Sequence, residues 1–170
     1  MRILSSKTIE DAVYRLAAKA CLRLTPSCER ALREAERCEP EGSAARFALS
    51  AVLDNAEIAA EEKMAVCQDT GYAVVLAEIG QDVHIEGALL SDAVNGGVRR
   101  AYEDMCFRKS VCDPVTRANT ADNTPASLHT EIVAGDKVRL TFLPKGFGSE
   151  NMSRLYMLTP AQGVKGIVDS

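Results

Sequence analysis

At Gly71 the chain changes its repeat, and that change limits the folds open to it. Up to residue 63 the apolar residues recur at helical spacing; after Gly71 they come in short β-branched runs bounded by glycine. Helices first and strands later predict an α+β fold, with a helical N-terminal region at 1–63 and a mixed α/β layer at 64–170 that includes a β-hairpin. The two regions are expected to form one compact domain. Ile9, Val13, Leu16, Ala17 and Ala20 mark the first helix, with Thr8 as its expected N-cap. Thr25 and Pro26 open a second, a cap followed by proline at the first helical position. A third runs from about Ser43 to Lys63, with Phe47, Val52, Leu53 and Ile58 as apolar positions and Glu57, Glu61 and Glu62 as its solvated face.

"YAVVLAEIG" and "DVHIEG" read as strands. A helix follows from about Leu90 to Met105, although "NGG" at 95–97 weakens it. "LHTEIVAGDKVRLTFLPKG" carries two alternating runs around Ala-Gly-Asp, a hairpin signal. Thr159 and Pro160 open a terminal helix that is marginal alone, which suggests that the polypeptide or a partner continues past Ser170.

A net charge of −4 over 170 residues, with scattered basic side chains, argues against a nucleic-acid partner. No apolar stretch is long enough for a membrane span, and "MRILSSKTIEDAVYR" lacks the apolar core of a signal peptide, so a cytoplasmic location is expected. None of the six cysteines is spaced as CxxC, which disfavours structural zinc, and a reducing compartment disfavours a disulfide framework. Cys21, Cys28 and Cys38 read as small buried or half-buried residues on helices. Cys106 and Cys112 read in the same way, with less to support it.

Three segments carry chemistry. In "VCQDTG", Cys67, Gln68, Asp69 and Thr70 stand in succession at a helix-to-strand junction. Cys67 there is a metal ligand, a nucleophile or a buried helix-end thiol; the residues alone do not choose between them. A nucleophile wants a histidine base, and nothing ties His84 or His129 to it. In "KGFGSEN", Gly146 and Gly148 permit backbone amides to face an anion, but the segment matches neither the P-loop nor the dinucleotide fingerprint. "ANTADNTPAS" is a loop of self-bonding turns, and His129 beyond it is expected to be packed.

"CQDTG", "GVRRAY", "FRKSVCDP", "NTPASLHTEIVAGDKV" and "KGFGSENMSRLYMLTPAQGVKGIV" occur in one order. Together they resemble the alpha subunit, or N-terminal domain, of class I (iron–sulfur-dependent) fumarate hydratase and L(+)-tartrate dehydratase, from about residue 5 to the end. The resemblance implies a reversible dehydration of a hydroxy dicarboxylic acid, malate to fumarate or tartrate to oxaloacetate. It implies a 4Fe-4S cluster held by three cysteines, one of them at Cys67, with an open iron acting as Lewis acid. It makes Asp69 catalytic in proton transfer and a substrate contact, with Gln68 beside it. It gives Arg108 a substrate carboxylate, and places Gly146, Gly148 and Ser149 in the wall of the same site. Arg99 and Arg100 read as helix-surface or structural residues.

The other two cluster cysteines would lie past this sequence and in a beta subunit or C-terminal domain, so an oligomeric assembly with that partner is expected. The chain alone is expected to hold no intact cluster and to be inactive. The competing reading is a non-catalytic binding or assembly domain that retains the hydro-lyase fold.

Overall fold

In the computed structural model, which describes residues 1–148 and 150–169, a short strand β1 (Arg2–Ser5) runs straight into helix α1 (Ser6–Leu22). The cap of α1 is Ser5, whose Oγ accepts the Lys7 amide, rather than Thr8. The helix starts earlier than expected because β1 needs residues 2–5 to pair in parallel with β3 (Val83–Glu86). Helix α2 (Pro26–Cys38) is capped by Thr25 and α3 (Ala44–Glu62) by Ser43, each side chain accepting an amide of the first turn.

Ile9, Val13, Ala17 and Cys21 form a buried stripe on α1. It meets the matching stripe Ala93, Val94, Val98, Ala101 and Tyr102 of α4 (Leu90–Asp104). Valines buried as completely as Val13 and Val98 each contribute about 1.5–3 kcal/mol of hydrophobic stabilisation. The α2–α3 hairpin takes little part. No residue of α2 is buried, and only Leu53 and Ala59 of α3 are. Phe47, Val52 and Ile58, expected as apolar contacts of α3, are instead 77%, 47% and 56% exposed, because α3 meets α2 and only the edge of α1. Cys28 and Cys38 are likewise exposed, and only Cys21 behaves as a buried thiol.

The main sheet has three strands: β2 (Tyr72–Gly80), β4 (Ser127–Val133) and β5 (Val138–Lys145). The tight connection between β4 and β5 is present, but the two strands do not pair as a hairpin. β2 lies between them, parallel to β4 and antiparallel to β5. The end of β2 plugs the gap, with Gly80 donating to Lys137 O, Gln81 to Val133 O and Asp82 to Gly135 O. Alternation then sorts the faces. Ala73, Val75, Ala77 and Ile79 are buried, whereas Leu76 and His129 are exposed on the opposite side, so His129 is not the packed histidine expected.

Beyond β5, single 3-10 turns at Glu150–Met152 and Pro160–Gln162 lead to α5 (Gly163–Asp169). No helix among the described residues is long and apolar enough to cross a membrane.

Candidate active site

The segment between α3 and β2 is fastened at both ends and open in the middle. Lys63, in a left-handed conformation, stops α3. Val66 then donates its amide to Cys21 O at 2.9 Å, and its own carbonyl accepts Asn55 Nδ2 at 2.9 Å. At the far end Tyr102, wholly buried, donates its hydroxyl to Thr70 O at 2.7 Å and to Gly71 O at 3.2 Å. Gly71 has φ +70°, and a β-carbon on it would collide with the carbonyl group of Lys145, so only glycine fits. Cys67 and Gln68, between the two fastenings, are exposed.

Asp69 is turned to a different neighbour. Its Oδ1 accepts the Gly71 amide at 3.1 Å and its Oδ2 the Phe147 amide at 3.2 Å. Gly146 lies against the same carboxylate: a β-carbon there would be 3.3 Å from Asp69 Oδ2. Thr70 Oγ1 meanwhile donates to the carbonyl of Arg108, 38 residues further along the chain, at 3.1 Å. The two motifs are thereby brought to one place. Asp69 and Arg108 line a cavity of about 500 Å³ together with Tyr72, Ser110, Val111, Cys112, Arg117, Phe147 and Asn151.

The cavity holds one carboxylate and two guanidinium groups. Among the described residues neither Arg108 nor Arg117 has an ion-pair partner, so both remain available to an anion. Ser110 Oγ is buried with no hydrogen-bond partner among the described residues. A larger cavity of about 800 Å³ lies against α1, α2 and α3, but its charges are mixed surface side chains.

The residues singled out from sequence thus separate into groups. Asp69 and Arg108 share the cavity, and Gly146 touches Asp69. Gly148 is exposed, with open space where a β-carbon would stand, and Ser149 lies outside the described residues. Cys67 and Gln68 do not line the cavity. Arg99 and Arg100 are structural: Arg99 pairs with Asp122, and Arg100 with Glu10 and Asp11 while lying 4.3 Å over the Tyr14 ring.

Sequence reasoning missed Arg117, Tyr102 and Asn123. Nothing in the local pattern marks Arg117 for the cavity. Tyr102 and Asn123 fasten carbonyls that lie 31 to 52 residues away in the chain, and only the Ser110 and Val111 amides that Asn123 accepts are nearer. Asp122 is held down at about 2: burial alone would raise it, but hydrogen bonds from Thr124 and Arg99 outweigh that.

A family model described as fumarate hydratase (fumerase) matches residues 10–170. The chain belongs to the fumarate hydratase family. It is 32% identical over 165 residues to a Methanocaldococcus jannaschii protein named as an L(+)-tartrate dehydratase alpha subunit, covering 94% of this chain and 58% of that one. It is 35% identical over 112 residues to the anaerobic class I fumarate hydratase of Escherichia coli K12, covering 64% of this chain and 20% of the relative. Fumarate hydratase 2 of Leishmania major is 35% identical over 119 residues, covering 68% and 21%. The chain therefore spans just over half of the first of these proteins and about a fifth of the other two.

The family resemblance brings an iron–sulfur cluster into question, and the donor set can be tested against it. Cys67 is an exposed free thiol on a turn fastened on both sides, which suits a ligand. Among the described residues, however, no three His, Cys, Asp or Glu side chains gather where they could hold a metal ion. Cys67 is thus accessible to a metal but belongs to no such group of three among the described residues.

Proposed function

We propose that this chain is the N-terminal part of the alpha subunit of an iron–sulfur hydro-lyase. It acts on a hydroxy dicarboxylic acid, interconverting malate and fumarate or tartrate and oxaloacetate. The observation that carries the reading is the shared cavity of Asp69 and Arg108, a carboxylate and an unpaired guanidinium brought together in a member of this family.

In this reading Arg108 grips a substrate carboxylate through two parallel N–H···O bonds, and Arg117 puts a second positive charge in the same cavity. Dehydration removes a proton from one carbon and hydroxide from its neighbour. Asp69 takes the proton as the C–H electrons become the new double bond and the C–O bond breaks. Gly71 and Phe147, each donating an amide to one oxygen of Asp69, hold that carboxylate in a single orientation. Cys67 would hold one iron of a four-iron cluster through its thiolate, with the remaining ligands supplied from outside the described residues. When bound, the cluster supplies Lewis acidity at the departing hydroxyl. Gly146 lies against the Asp69 carboxylate and contributes the wall there, whereas Gln68, outside this cavity, would reach substrate only once the site is completed.

The test is anaerobic co-expression with the completing subunit, followed by assay of malate and of each tartrate isomer. Turnover of one of them, lost in Asp69→Asn, is the expected result. A loaded, folded assembly that turns over none would overturn the proposal.

A further inference from the structure

Asn123 is 0% exposed, beside the buried Thr124, in a loop that is open over residues 113–121, and its backbone is left-handed, with φ 60°. Its Nδ2 donates to Gly71 O at 3.0 Å. Its Oδ1 accepts the amides of Ser110 at 2.8 Å and Val111 at 3.2 Å. Gly71 stands two residues after Asp69, and Ser110 two residues after Arg108. One side chain therefore bridges the two backbone segments that carry the cavity's carboxylate and its first guanidinium.

We infer that Asn123 is a positioning residue that fixes the separation of Asp69 and Arg108. The catalytic consequence rests on the hydro-lyase reading above; the bridge itself does not. The residue type follows from the demands of the site. One end must donate to a carbonyl and the other must accept two amides, which an amide side chain does from two separate atoms; an ionised carboxylate and a hydrocarbon lack the donor, and a hydroxyl would have to serve both segments from one atom. Leucine would leave two partly buried amides unpaired, and an ionised aspartate would set an acceptor against Gly71 O. The neighbours of Asn123 hold it in place: Asp122 accepts the Thr124 amide at 3.0 Å and pairs with Arg99 of α4 at 2.8 Å. Asn123 touches no substrate in this scheme and works only through backbone.

Two measurements test it. In the assembled, cluster-loaded enzyme, Asn123→Ala lowers kcat per folded site about 100-fold, the usual cost of a misplacement near 1 Å. A purely structural residue would instead reduce the amount of folded enzyme and leave kcat per folded site and KM untouched; that result overturns the inference. The second measurement needs no activity and uses the chain itself. Asn123→Ala moves the resonances and speeds the exchange of the Gly71 and Phe147 amides that Asp69 holds, although Asn123 bonds neither amide. Both amides unchanged would mean that the direct Thr70–Arg108 bond suffices, and overturns the positioning role. If Asn123→Ala does not fold, Asn123→Ser, which keeps a polar group but has one atom in place of two, carries both measurements. A wild-type assembly without turnover defeats the hydro-lyase reading while the resonance measurement still decides the bridge.

Discussion

Val13 packs into the space that Gly97 leaves open: a β-carbon on Gly97 would stand 2.8 Å from Val13 Cβ and 2.6 Å from the Glu10 carbonyl. Glycine inside a helix normally costs stability, and alanine restores about 1 kcal/mol. Here the sign reverses. Gly97→Ala forces α1 and α4 apart and lowers the unfolding free energy by about 1–3 kcal/mol, the usual range for overpacking. Gly96→Ala meets only the Glu10 side chain at 3.3 Å, which can give by a few tenths of an ångström at some cost to its pairing with Lys7 and Arg100, so the variant changes stability less than Gly97→Ala does. Urea titrations separate the two variants, with the larger fall in midpoint for Gly97→Ala.

Tyr102→Phe removes the two hydrogen bonds that fasten Thr70 and Gly71 while keeping the ring that meets Phe107 edge-on at 5.5 Å. The buried carbonyl of Thr70 loses its donor, so the variant is less stable by about 1–3 kcal/mol. Faster amide exchange around residues 70–72, without loss of far-UV helicity, is the matching spectroscopic result.

Burial pushes the Cys21 thiol up to about 11, against a smaller lowering by its hydrogen bond with Tyr102. Tyr102 is raised as well, first by burial and then by Cys21. Above pH 9, the ordinary value for the thiol, the unfolded chain loses a proton that the folded chain keeps. Stability is therefore full below pH 9 and declines as pH rises through about 11. Melting temperatures across that window fall in the wild type and fall less in Cys21→Ala.

Asp122 gives the opposite limb. Its carboxyl, at about 2 in the folded chain against 3.8 ordinarily, contributes stability above pH 3.8 that is lost as pH falls toward 2. Asp122→Asn flattens that acid limb, and thermal melts from pH 5 to pH 2 read the difference directly.

For the proposed reaction, Arg108→Lys keeps the charge and loses the planar fork. KM for the dicarboxylate rises about 10- to 100-fold, the equivalent of one or two charge-assisted hydrogen bonds, with a smaller change in kcat. Steady-state kinetics of the assembled enzyme check this.

Local chemistry was legible in the sequence and long-range pairing was not. Thr25 and Ser43 announce their helices because a cap and its first turn lie within four residues. The exposure of Phe47 and Ile58 was hidden, because helical spacing shows that a stripe exists and not whether anything covers it. The Ala-Gly-Asp turn correctly joins two strands, but alternation cannot reveal that β2 enters between them. At the site, the motifs pointed to Asp69 and Arg108, whereas Tyr102 and Asn123 became visible only once their carbonyl partners had been brought within reach.

The central place of β2 also sets a schedule. Residues 81–126 separate it from β4, so both of its neighbours are synthesised after it. At roughly 5–20 residues per second, "YAVVLAEIG" waits on the order of several seconds with two open edges. Such a strand invites pairing with other nascent chains. During synthesis β2, rather than the self-capping helices of the front half, is therefore a segment with much to gain from chaperone cover.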